Sequence, residues 1–182
     1  QYGVKLTASQ GVRDDSLKML SLWPSDRYYN IWVVNRIDGF DGTSGSFTAG
    51  YAMLPPAPAA VDRTVMLATQ MNINRITLPH EVGHAFNLQH TWNGGTPGTS
   101  TSPGVCAPNA TCLTQGDFVC DTDPHWDVDP GQCFSGQTNA CTGNTYNDAT
   151  ARNIMNYSNC QNRFTPGQRT RAIAAMLAYR SS

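Results

Sequence analysis

The chain has 182 residues, 40% of them apolar and 14% charged, with a formal net charge of −1. That length suits a single domain. The near-zero charge offers no basic field for nucleic acid, and no window holds the roughly 18 apolar residues of a membrane span. Collagen, coiled coil and disordered tail are excluded on composition, leaving a domain whose polar surface is built from Thr, Ser, Asn, Gln and Gly.

In chain order, residues 14–23 (DDSLKMLSLW) predict a short helix. Asp14 or Asp15 is its N-cap, and Leu17, Met19 and Leu20 form its apolar side. Residues 29–35 (YNIWVVN) are aromatic and β-branched and read as a buried strand. Asp38-Gly39 and Asp41-Gly42 mark turns. Residues 47–54 (FTAGYAML) give a second strand, weakened inside by Gly50, and Pro55, Pro56 and Pro58 end it. Residues 63–69 (RTVMLAT) give a third.

Helical spacing returns over 75–89, with Ile76, Val82, Phe86 and Leu88 apolar and Pro79 confined to the first turns. Residues 93–150 read as one long irregular stretch, which is uncommon unless functional or tied down. Thr165-Pro166-Gly167-Gln168 reads as a capping box with Pro at the first helical position, opening a helix to about Tyr179.

All six cysteines (106, 112, 120, 133, 141 and 160) lie in the C-terminal half, and none forms a CxxC pair. A region so poor in apolar runs predicts three disulfides and an oxidising compartment, with fifteen connectivities open. The chain begins at Gln1 without an apolar leader and reads as one whose signal has been removed. Asn109-Ala110-Thr111 and Asn156-Tyr157-Ser158 match glycosylation acceptors.

The chemistry concentrates in residues 80–90 (HEVGHAFNLQH). His80 and His84, four apart, project from one helical face, where two imidazoles hold a tetrahedral metal, zinc by default. Glu81 follows the first ligand, placed to act on water as a general base without ligating. Two histidines at this spacing also occur on ordinary amphipathic helices. However, three of the chain's four histidines fall in register within eleven residues. For His90 to become the third ligand the chain must turn sharply near 87. The long form of the motif has Gly there; Asn87 is the next most tolerant residue and is expected at positive φ. Downstream, residues 153–157 (NIMNY) match a Met-turn, with Met155 an apolar floor and not a ligand. His125 belongs to no motif and reads as a surface residue beside Trp126.

With these segments in place the sequence resembles the pappalysin family of metzincin peptidases, which includes the ulilysin-like enzymes. Residues 23–33 (WPSDRYYNIWV), 50–52 (GYA), the zinc motif through Thr91-Trp92, 116–122 (GDFVCDT), the Met-turn and 163–168 (RFTPGQ) carry the resemblance. It implies an α+β, metzincin-like zincin domain. Its elements would be a twisted, mostly parallel sheet with an antiparallel edge strand, a zinc helix, and a long irregular C-terminal subdomain ending in a helix. One catalytic domain would span 1–182, its upper portion covering residues 1–90 and its lower portion residues 91–182.

The resemblance further implies that His80, His84 and His90 bind catalytic zinc, that Glu81 is general base and acid, and that Tyr157 stabilises the oxyanion. Gly50, Tyr51 and Ala52 would line the cleft and pair with extended peptide. Its disulfides imply Cys120–Cys141 and Cys133–Cys160, leaving Cys106–Cys112. Structural calcium is implied near Asp117 and Asp121. Some ulilysin-like enzymes carry an acid between the Met-turn Tyr and the next Cys. Here only Ser158-Asn159 stands there, so strict cleavage before Arg or Lys is expected to be absent or weakened. The reading is a secreted or periplasmic zinc endopeptidase acting on protein or peptide substrates. No nucleic-acid partner and no membrane span are expected from charge and hydropathy; a monomer is favoured, with the oligomeric state left open. The rival is an inactive zinc-containing binding module.

Overall fold

A computed structural model describes residues 3–5, 12–13, 22–25, 27–58, 61–72, 75–98, 104–126 and 131–180. The helix expected over 14–23 lies outside these residues apart from Leu22 and Trp23. The strands are β1 (Gly3–Lys5), β2 (Val12–Arg13), β3 (Asn30–Val34), β4 (Arg36–Ile37), β5 (Gly50–Ala52) and β6 (Arg63–Leu67). The helices are α1 (Thr77–Ala85), α2 (Asp148–Ala151) and α3 (Pro166–Tyr179). The chain forms two compact units, one of Gln1–Asn87 with Ala175–Ser182 and the other of Leu88–Ala174.

The first unit holds the sheets. β6 lies between β3, parallel to it in the register Asn30↔Arg63 to Val34↔Leu67, and β5, antiparallel with Tyr51↔Val65. All five β6 residues are buried, as a central strand requires. β1 pairs in parallel with β2 and β4 in a second sheet. Three of the four described pairings are therefore parallel, with β5 as the antiparallel edge. Strands of two and three residues carry no readable alternation, so β1 and β2 leave no trace in the sequence pattern.

Val34, Ile37, Val65 and Leu67 form the core here, with Trp32, Phe47 and Tyr51 packed on it. α1 packs against β5 and β6. At the C-terminus, Arg180 donates to both carboxylate oxygens of Asp62 (2.7 and 2.6 Å) and to the carbonyl of Ala85, the last residue of α1 (3.1 Å). Its guanidinium lies 4.8 Å from the Tyr29 ring centroid.

The second unit is irregular. Besides α2 and the first turns of α3 it contains turns and the isolated bridges Thr96↔Val105, Thr138↔Thr145 and Asn153↔Arg163. Its apolar cluster is small: Phe134 and Ala151, with Trp126 and Tyr146 against them. α3 opens with the expected reciprocal cap. Gln168 N–H donates to Thr165 Oγ1 and Thr165 N–H to Gln168 Oε1, both at 3.0 Å. Among the described residues no helix is long and apolar enough to cross a membrane.

Three disulfides tie this unit: Cys106–Cys141, Cys112–Cys120 and Cys133–Cys160. Cys133–Cys160 is the expected bond, but the expected Cys120–Cys141 and Cys106–Cys112 are not formed. Local hydrogen bonding explains the exchange. Ala107 N–H donates to the His125 carbonyl, and the Asn139 amide donates to the Pro124 carbonyl. Segment 124–125 thus gathers both 106–107 and 139–141, leaving Cys106 and Cys141 with Cα atoms 5.8 Å apart. Turns Thr111–Thr114 and Gln115–Phe118 fold Cys112 back onto Cys120, at a Cα separation of 5.1 Å.

Candidate metal centre and active site

α1 starts at Thr77, with Pro79 in its first turn where a missing N–H leaves no bond unmade. His80 and Glu81 are buried, at 5% and 7% exposure. The His80 and His84 rings meet edge to face with centroids 4.8 Å apart, as i, i+4 residues on one face do. The helix stops at Ala85. Asn87 takes φ 67°, and its N–H donates to the His84 carbonyl at 2.9 Å. This left-handed residue turns the chain so that His90 comes back. Within this single eleven-residue stretch the ligand nitrogens of His80, His84 and His90 lie within 4.8 Å of one another. Three neutral imidazoles without a thiolate are a donor set that fits Zn2+ and leaves a coordination position open.

Burial pushes the Glu81 carboxyl up to about 7, partly offset by a hydrogen bond from the Ala52 N–H of β5. Gly50 explains how β5 comes so close to the helix. A Cβ there would lie 2.6 Å from Met66 Sδ, 3.0 Å from the Val65 carbonyl oxygen and 3.3 Å from Glu81 Cγ. Gly50, read from sequence as a weakness in a strand, is therefore what admits Glu81 beneath it. Gly50, Tyr51 and Ala52 are half-buried on the edge strand.

In the second unit Met155 is fully buried, its N–H donating to Asn153 Oδ1. Asn153 and Gln168 exchange a pair of amide hydrogen bonds at 3.0 Å, binding the Met-turn to the start of α3. The Met155 carbonyl accepts from Thr91 N–H, one residue after His90. Tyr157 lies with its ring 5.0 Å from that of His90 and is 40% exposed.

Asp117 and Asp121 are committed within the fold. Asp117 accepts from Thr122 Oγ1 at 2.7 Å, and burial pushes its carboxyl up to about 6. Asp121 accepts from Thr165 Oγ1 and Gly167 N–H, both at 2.7 Å, at the start of α3. Among the described residues the histidine triad is the one group of three or more metal-ligating side chains. Of the two glycosylation motifs, Asn156 is fully buried with its amide donating to Thr150, whereas Asn109 is exposed in a loop.

His125 is not a surface residue: it is fully buried. Its Nδ1 donates to the Trp126 carbonyl at 2.7 Å, so Nε2 accepts the Thr91 hydroxyl at 2.8 Å. Both ring nitrogens are satisfied, and burial pushes its pKa down to about 4. Trp92, which sequence reading used only to mark the end of a motif, stacks on His90 with centroids 4.3 Å apart and planes 10° apart. Neither residue falls in a periodic pattern; the one signal was an aromatic directly after the His90-Thr91 pair.

The family model of peptidase family M43, described as pregnancy-associated plasma protein-A, matches residues 11–177. An extracellular metalloprotease of Sordaria macrospora is 34% identical over 108 residues, covering 58% of this chain and 31% of that protein. One from Verticillium alfalfae is 30% identical over 148 residues, covering 72% and 45%. The chain thus spans less than half the length of these curated relatives. The structure of mature mirolysin from Tannerella forsythia, in complex with a cleaved peptide, superposes with a TM-score of 0.61. That match covers 91% of this chain and 60% of the other at 24% identity, a likeness of fold.

Proposed function

This chain belongs to the M43, or pappalysin, family of peptidases, and on that premise we propose that it is a secreted zinc-dependent endopeptidase of protein or peptide substrates. The convergence of His80, His84 and His90 carries the reading. Zinc held there supplies Lewis acidity, lowering the pKa of water and polarising a carbonyl. Glu81 takes the proton of the attacking water on its carboxylate and hands it to the leaving amine. Burial favours the protonated form of this carboxyl and a cation on the adjacent imidazoles its ionised form, opposing influences that suit a group which both takes and returns a proton. Tyr157, beside His90, donates a hydrogen bond to the oxygen that gains charge as the carbonyl becomes tetrahedral. Extended substrate adds to the sheet along β5, at Gly50, Tyr51 and Ala52. Asn87 supplies the turn that returns His90. Met155 contributes apolar packing and no ligand.

Three disulfides and the extracellular naming of the fungal relatives support export to an oxidising compartment. The cleaved peptide in the mirolysin complex supports the substrate class. Calcium near Asp117 and Asp121 belongs to this reading through the family resemblance alone, because both carboxyls are already engaged, by Thr122 and by Thr165 and Gly167. No acid stands between Tyr157 and Cys160, so cleavage is expected without strict selection of Arg or Lys after the scissile bond.

The test is cleavage of a denatured proteome by the wild type, a chelated sample and Glu81→Gln, with bound zinc measured in parallel. Glu81→Gln is expected to keep one zinc per chain and lose about 10²–10⁴ in kcat. Full activity in that variant would overturn the mechanism. A zinc-loaded wild type that cuts nothing would leave a binding module. Cleavage confined to Arg and Lys sites would remove the specificity reading.

A further inference from the structure

We propose that Trp92 is a positioning residue that sets the ring plane of His90 and the place of Tyr157, an inference that rests on the zinc reading above. A metal bonds an imidazole nitrogen along a lone pair lying in the ring plane, so fixing the plane of His90 fixes the direction of its bond. His90 is half-buried, and its ring plane is set by χ1 and χ2. The indole, stacked 4.3 Å away at 10°, favours this plane. The same indole carries the Tyr157 ring at 4.6 Å, tilted 58°. One side chain thus touches both the third histidine and the phenol.

The indole is itself held from behind. It is 7% exposed, and His125 meets it edge-on at 6.2 Å. The backbone on which it stands is pinned by Thr91, through its N–H to the Met155 carbonyl and its hydroxyl to His125 Nε2. A turn closes the segment, with Asn93 N–H on the His90 carbonyl and Gly95 N–H on the Trp92 carbonyl. His125 thereby gains a role: its fully satisfied, buried ring is the stop against which Thr91 and Trp92 are set. Outer-shell hydrogen-bond partners of a ligating histidine commonly change affinity by ~10–100-fold when removed, and a stacking ring is expected at the low edge of that range.

The experiment compares Trp92→Phe with Trp92→Met in the disulfide-intact chain. The two are close in size and differ in having a ring. Zinc affinity is read by competition with a chromophoric chelator. Phe is expected within about threefold of wild type and Met about tenfold weaker, the lower edge of that range. In turnover, Met is expected to lower kcat with KM kept, because Tyr157 acts on the reacting oxygen. Equal zinc affinities for Phe and Met overturn the proposal. If Trp92→Met gives no melting transition, Co2+ quenching decides: wild-type emission must fall on Co2+ binding by an increment absent from Trp92→Phe. An identical quench in both overturns the proposal. A wild type that binds zinc yet cleaves nothing defeats the peptidase reading alone, since affinity and quenching still test Trp92.

Discussion

The two units solve the same problem by different physics. Among the described residues, the large side chains fully buried in the first are Ile37, Val65, Met66 and Leu67, with Arg63 as the polar exception. Among those described in the second they are His125, Asn139, Asn153, Asn156 and Gln168, with Met155 as the apolar exception. One unit buries apolar surface and satisfies its backbone in strand ladders. The other has little sheet or helix, so beside turn and bridge hydrogen bonds several of its backbone groups are satisfied by Asn and Gln side chains. An apolar core is non-directional and tolerates rearrangement. A polar core is directional, and each missing partner leaves an orphaned donor or acceptor.

The largest effect that would break this contrast concerns the disulfides, all of which lie in 88–174. Each is worth about 2–4 kcal/mol, together comparable with the ~5–15 kcal/mol stability of a whole domain. Reduction is expected to bring amides of 88–174 to near-coil hydrogen exchange while β3, β6 and α1 stay protected. Equal loss in both regions would show that the units do not differ in what holds them. Among single pairs, Cys106→Ser with Cys141→Ser should cost about 1 kcal/mol more than Cys112→Ser with Cys120→Ser. The longer loop, 35 residues against 8, loses more unfolded-state constraint.

Matched substitutions come next. Leu67→Met, in the apolar core, should cost less than about 1.5 kcal/mol because volume is conserved. Asn153→Leu is also close in volume, but it strips partners from Ala149 O, Met155 N–H and both ends of the Gln168 amide. About 3–5 kcal/mol is expected, from orphaned groups of ~1–3 kcal/mol each, partly relieved by relaxation. Chemical denaturation of the two variants checks the pair. Comparable costs would remove the distinction between the cores.

What could be read in advance follows the same division. β3, β6, α1 and α3 announce themselves because apolar periodicity and caps are local: the Thr165–Gln168 box spans four residues and formed as read. The His80–His84–His90 spacing is equally local, and Asn87 takes the positive φ it needs. The cysteine partners and the burial of His125 were not legible. They depend on contacts between segments such as 91 with 125 and 124 with 139, which no period encodes. An imidazole can be buried only where both nitrogens find partners, and here one partner is 34 residues away.

A pH experiment sharpens the contrast further, since among its described residues the second unit buries two titratable groups with opposite demands. His125 has a folded pKa of about 4, below its ordinary 6.5. Between those values the unfolded chain binds the extra proton, so this contribution falls as pH drops from 6.5 to 4. Asp117 has a folded pKa of about 6, above its ordinary 3.8. There the folded chain binds the extra proton, so this contribution rises as pH drops from 6 to 3.8. Each amounts to about 3 kcal/mol, and the two nearly cancel between pH 4 and 6. Relative to wild type, Asp117→Asn should therefore lose stability on acidification through that window and His125→Asn should gain it. Melting curves at pH 6.5, 5 and 4 read the slopes. Two slopes of the same sign would mean that one of these groups is not buried as described.

The smallest effect sits where the units meet along the chain, at Asn87, the last residue of the first unit's long segment. Its φ of 67° is tolerated by Asn, free for Gly and costly for a residue with an ordinary Cβ. Asn87→Ala is expected to lose about 1 kcal/mol. Asn87→Gly should stay within about half of that, because relief of left-handed strain offsets added unfolded-state freedom. The comparison isolates the turn from the ligands it serves. If the backbone conformation at 87 is what returns His90 to the metal, zinc affinity must follow φ tolerance, with Gly equal to Asn and Ala weaker. An Ala variant that binds zinc as tightly as wild type would mean that His90 is placed by the second unit alone, through Thr91 and Trp92, and that the helix end only delivers the chain to it.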